Sequence, residues 1–175
     1  MGKKIINRRE ALCAGVFIVA SLCRPFGPAV AALDKNLVAD AQKAAGWIAG
    51  ALNQSKYRAD FSVKSLQEIE RFFAEHSRDG RPIPGRLLSE RTGPRLFALG
   101  SYVGEVLRRA GKGEWHAEAG DPNGEVNIEV RFPGGARIWP MQRVIKRVKN
   151  GPEENIYDYG RLVLQSLGPG EDGIR

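Results

Sequence analysis

The sequence predicts an α+β fold in a single domain: N-terminal helices, a three-stranded antiparallel meander, then two C-terminal helices. Three observations predict it. Apolar residues recur at three- and four-residue spacing as far as Leu107. The period then shortens to two, with Val126, Ile128, Val130 and Phe132 alternating with polar residues. Beyond that, Pro140 and Pro152 each stand where helical spacing resumes, and proline suits a first helical turn.

The first helix is expected from Leu33 to Gln54, with Leu37, Val38, Ala41, Ala44, Ala45, Ile48 and Leu52 on its apolar face and Trp47 adding bulk near it. A second helix starts near Ser62 or Ser65. Ser65 and Glu68 have the spacing of a capping box, in which each side chain satisfies a free backbone N–H. Leu66, Ile69, Phe72 and Phe73 give that helix its apolar side. Asp79 to Gly85 reads as a turn-rich loop.

A third helix follows Pro94, with Phe97, Leu99, Tyr102, Val103, Val106 and Leu107 on its apolar side. Gly100 and Gly104 share one face of it. Each costs a helix about 1 kcal/mol relative to alanine. Close approach of another element over a face without side chains is the compensation to expect.

Glu114 to Ala119, Glu125 to Phe132 and Ala136 to Trp139 read as three short strands. The middle one places Asn127, Glu129 and Arg131 opposite its apolar residues, so the meander has one buried face. Pro140 opens a helix through Lys149, closed by Asn150 and Gly151 as a left-handed cap. Pro152 opens a last helix to about Leu167, and residues 168–175 read as a mobile polar tail.

Ahead of this domain, residues 1–32 read as a cleavable export signal. Lys3, Lys4, Arg8 and Arg9 make a basic start, and Ala11 to Cys23 is an uncharged run of 13 residues. A membrane-spanning helix needs about 20 apolar residues. The run therefore suits a signal core, and Ala29, Val30 and Ala31 supply the small residues that a signal peptidase requires. Cleavage is expected after Ala31 or after Ala32, giving a periplasmic or secreted protein. Arg8 and Arg9 fit both a general secretory and a twin-arginine signal. Cys23 follows Leu22, the reverse of the small-residue order of a lipoprotein signal.

Removal of 32 of the 175 residues leaves 143, enough for one self-standing core, and removes both cysteines, Cys13 and Cys23. The mature chain, residues 33–167 plus the tail, then has no disulfide and no thiolate chemistry. Of 27 basic and 20 acidic residues it keeps 22 and 19, a balance of +3. Such a charge serves solubility and gives no reason to expect nucleic acid.

No catalytic template fits. Residues 168–173 match G-x-G-x-x-G by letter, but a helix precedes them and no helix follows. Ser101 between Gly100 and Gly104 sits in the wrong slot of a nucleophile elbow and inside a helix. His76, at the end of the second helix, suits the helix dipole as a partly charged ring, and His116 lies on the first strand. Two histidines without cysteine make a poor metal set, so no metal and no cofactor is expected. Glu105 is the one candidate general acid or base; the competing reading pairs it with Arg108 or Arg109, three and four residues on. Arg143, Lys146, Arg147 and Lys149 alternate with Val144, Ile145 and Val148. That pattern gives a solvated basic face, or a surface for an anionic ligand or membrane headgroups.

Tyr102, Gly104 and Glu105, then Trp115, then Pro140, Arg143, Val144, Lys146 and Arg147, then Asn150 and Gly151, follow the pattern Y-x-G-E, W, P-x-x-R-V-x-K-R, N-G. In this the chain resembles a small bacterial domain family of unknown function, over about Ser62 to Val163. The resemblance implies an α+β domain and makes Tyr102, Glu105, Trp115, Arg143, Lys146 and Arg147 the expected ligand-binding cluster. The expected function is a non-enzymatic, exported domain that binds an envelope protein or an anionic ligand. The alternative is a small exported enzyme using Glu105.

Overall fold

The computed structural model describes residues 28–168, with side chains from residue 36 onward. The expected export signal lies almost wholly outside the described residues. The chain mixes helices with small antiparallel sheets, as the change of period implies.

α1 (Pro28–Gln54) starts five residues earlier than expected, with Pro28 as its first helical residue, a position that suits proline. Its Ala41, Ala45, Ile48 and Leu52 are buried, following the expected stripe, and Ala49, outside that stripe, is buried as well. Trp47 departs from it and stays 61% exposed.

A 3₁₀ turn (Val63–Ser65) leads into α2 (Leu66–His76). The capping box at Ser65 and Glu68 does not form. Ser62 caps instead, its hydroxyl accepting the Ser65 N–H at 3.2 Å. Ser65 is helical and buried, and its hydroxyl donates to the Ser62 carbonyl at 2.6 Å. Glu68 turns outward to Arg71.

The loop after α2 contains a hairpin missed in the sequence: β1 (Ser77–Arg78) pairs antiparallel with β2 (Arg81–Pro82). Asp79 and Gly80 both take positive φ, 51° and 75°, the conformation that a two-residue turn matched to strand twist needs.

α3 (Thr92–Ala110) is the centre of the molecule. Every residue from 98 to 107 is buried, so it is a core helix and not a surface one. α1 packs along it. α5 (Pro140–Asn150) packs on it as well. The expected close approach is present. A methyl group on Gly100 would stand 2.9 Å from the Met141 Cα, and one on Gly104 would stand 2.2 Å from Trp115 Cη2 and 2.8 Å from Pro140 Cγ.

The meander is present but shorter than expected. β3 (Glu114–His116), β4 (Glu129–Arg131) and β5 (Arg137–Ile138) lie in that order, both pairs antiparallel. The first half of the expected middle strand is a helical turn, α4 (Gly124–Asn127). Backbone bonds from Asn127 to Asn123 and from Ile128 to Gly124 close it, and Val126 is left exposed. Ile128, Val130 and Phe132 do face the core.

α5 begins at Pro140 as expected. Gly151 has φ 103° and ψ −160°, so the end is not a left-handed helical cap but a sharper reversal open only to glycine. Pro152 opens a 3₁₀ turn (Pro152–Glu154) and not the last helix. That helix, α6 (Ile156–Ser166), starts after Asn155, whose side chain accepts the Asp158 N–H at 3.0 Å, and it packs on α2.

Candidate functional site

Glu105 sits on the buried length of α3 with its side chain 6% exposed. An isolated charge there would be costly. Arg108 donates to both its oxygens, at 2.8 and 2.9 Å, and Arg109 to Oε1 at 2.7 Å. The Trp115 indole N–H on β3 adds a bond at 3.1 Å to Oε2. Burial pushes this carboxyl up, and the three donor side chains together outweigh burial, bringing it down to about 2. The pairing with the two arginines is thus the geometry found. Glu105 also locks the Trp115 ring over Gly104, so one carboxylate ties β3 to α3.

Tyr102 is fully buried. Its hydroxyl accepts the Phe61 N–H at 3.0 Å and shares a hydrogen bond with Ser65 at 2.7 Å. Burial pushes its phenol up. Phe61, at φ 59°, lies against the Tyr102 ring with the Arg109 guanidinium above it. Tyr102 therefore clamps the chain entering α2 onto α3.

The basic helix is not a solvated face at its two arginines. Arg147 is 2% exposed and binds Glu70 of α2 at 2.7 and 2.5 Å. Glu70 also accepts the Ile156 N–H at 3.1 Å, so one ion pair joins α5, α2 and the start of α6. Arg143 bonds to Glu154 and to the Asn155 carbonyl, with Tyr159 beneath it. Lys146 and Lys149 are exposed. The six expected ligand-binding residues thus divide. Tyr102 and Glu105 lie on α3 with Trp115 packed against it, Arg143 and Arg147 hold other elements, and Lys146 faces solvent.

His76 is not the partly charged helix-end residue expected. It is 5% exposed, bonded to the Tyr57 hydroxyl at 3.0 Å and stacked near Phe72, and burial lowers its pKa. His116 is exposed on β3. Ser101 is fully buried inside α3, away from any solvent-open cleft. Among the described residues no group of three His, Cys, Asp or Glu side chains is placed to hold a metal ion.

Two solvent-open concavities stand out. One is an apolar cleft of about 620 Å³ between α1, α3, α4 and α5. Phe97, Met141 and Ile145 line it, Trp47 and Val126 stand beside them, and Lys43 and Glu125 contribute the charges. The other lies on the solvent side of the three-stranded sheet, with a volume of about 470 Å³ and largely polar walls. Sequence reading missed both. Trp47 one residue before the buried Ile48, and charged residues at every second position of the strands, were the available signals.

Compared with known proteins, the chain matches no family model, and no curated protein or solved structure shows significant similarity to it. Among the described residues no helix is long and apolar enough to cross a membrane.

Proposed function

We propose that this chain is exported and that its mature part is a non-enzymatic domain whose partner is a protein, seated through an amphipathic helix in the apolar cleft. The observation that carries this is the contrast between interior and surface. Glu105, Arg143, Arg147, Glu70 and Tyr102 are all taken up in bonds between elements, while Trp47 stands 61% exposed beside an apolar cleft. Large exposed aromatics next to a concave apolar surface are typical anchors for a partner.

An amphipathic helix fits because the cleft combines an apolar floor with a cation, Lys43, and an anion, Glu125. A helix lays apolar residues at i, i+3 and i+4 into such a groove and sets charges of both signs along the edges. An anionic ligand is less well served, since the α5 arginines are paired internally and only Lys146 and Lys149 of its basic residues stay open.

The enzyme reading finds little support in the geometry. A carboxyl held at about 2 carries no proton at neutral pH and is a weak base, whereas a general acid or base works best with a pKa near the working pH.

Affinity capture from envelope extract tests the proposal. A protein held by the wild-type domain should be lost with Trp47→Glu and kept with Lys146→Glu, and a peptide from its captured helix should compete. Loss with Lys146→Glu and retention with Trp47→Glu would instead assign an anionic ligand to α5.

A further inference from the structure

We infer that the solvent face of the β3–β4–β5 sheet is a binding site for a glycan, taking one or two sugar rings against Trp139. The register puts His116 opposite Glu129, and Arg131 opposite Arg137. Side chains of paired residues share a face, and so do residues two apart. His116, Glu129, Arg131, Arg137 and Trp139 therefore stand together over a cleft that α4 closes with Asn127.

The cleft is built rather than incidental. Glu129 is 6% exposed, an unusual burial for a carboxylate on the outer face of a sheet, and Arg131 holds one of its oxygens at 2.6 Å. Its other oxygen takes no donor among the described residues. Asn127 is fixed from two sides: its amide N–H donates to Asp121 at 2.7 Å, and its carbonyl accepts from Gln142 at 3.1 Å. Trp139 forms one wall at 36% exposure, with the Arg137 guanidinium 5.9 Å from its ring centre. The side chains of His116, Glu118 and Arg137 make no hydrogen bond among the described residues.

The chemistry of these walls selects the ligand class. Two guanidiniums beside Glu118 and Glu129 oppose a simple anion and a simple cation alike. A sugar hydroxyl both donates and accepts, so it can satisfy carboxylate and guanidinium at once. The C–H face of a pyranose ring is apolar and fits an exposed indole, which offers an apolar body for such contact. The volume of about 470 Å³ lies within the range of small-ligand sites, roughly 300–1,000 Å³.

This site is separate from the apolar cleft and does not rest on the reading of that cleft. The test is isothermal titration calorimetry of the full chain with chitotetraose, maltotetraose and the N-acetylglucosamine–N-acetylmuramic acid disaccharide, with inorganic phosphate as the anion control. At least one sugar should give a saturable change at millimolar concentration or below. Trp139→Ala should weaken it by about tenfold or more, a difference read directly from Kd. Trp47→Glu should leave it intact. If Trp139→Ala does not fold, His116→Ala, at an exposed position, should weaken the same sugar several-fold. No response to any of the three sugars, a response unchanged in Trp139→Ala or in a substituted His116→Ala, or displacement of the bound sugar by phosphate would overturn the inference.

Discussion

A carboxylate sealed under a sheet stays charged only where donors replace the water it has lost. Glu105 has Arg108, Arg109 and Trp115 for this. The arginines were legible in the sequence, because three- and four-residue spacing brings side chains together on a helix. Trp115 was not, because its approach depends on the turn between α3 and β3. Glu70 was missed for the same reason, since Arg147 lies 77 residues away along the chain. Glu105→Gln should destabilise the protein by about 1.5–3 kcal/mol near neutral pH, the usual worth of hydrogen bonds to a charged group. The folded-state pKa is depressed from 4.5 to about 2, so the wild type holds this stability above about 4.5 and loses it as pH falls towards 2. The deficit of the variant should therefore be full at pH 7 and shrink through that acid window. A urea-denaturation series over pH measures it, and a deficit that is flat with pH contradicts the assignment.

At the scale of elements, glycines separate packed from open helix faces. Gly100 and Gly104 lie under α5 and Trp115, whereas a methyl group on Gly46 or Gly50 of α1 would meet nothing within 4 Å. Gly100→Ala and Gly104→Ala should each lower the denaturation midpoint, by about 1–3 kcal/mol in stability. Gly46→Ala and Gly50→Ala should each raise it, by up to about 1 kcal/mol. The same sign in all four would contradict the packing. The helices were legible because their apolar spacing is long and regular. The strands were less so. Val126 continues the alternation of Ile128 and Val130, yet the backbone bonds of residues 123–128 close a helical turn there. The hairpin at Asp79 and Gly80 carried a strong turn signal, but Pro82 in so short a strand argued against pairing.

Across the whole molecule, the residues that looked most chemical hold the fold. Tyr102 joins α3 to the entry of α2, Glu105 joins α3 to β3, and Arg147 joins α5 to α2 and α6. That distribution was hidden in the sequence because the Tyr102–Phe61, Arg147–Glu70 and Glu70–Ile156 bonds span 41 to 86 residues of chain, and the Glu105–Trp115 bond depends on the turn that follows α3. A mature N-terminus at Ala32 or Leu33 leaves these joints untouched, since all of them lie between Phe61 and Ile156. Mass spectrometry of protein recovered outside the cytoplasm should find that terminus, and an intact Met1 there contradicts export with cleavage. Binding is proposed for the cleft beside Trp47, whereas Glu105 serves the fold. The most direct measurement is the affinity of the captured partner for Trp47→Glu and Glu105→Gln, taken where both variants are folded. Trp47→Glu should lose binding at unchanged stability, while Glu105→Gln should lose stability at unchanged affinity. Binding that survives Trp47→Glu and fails in folded Glu105→Gln would contradict the claim.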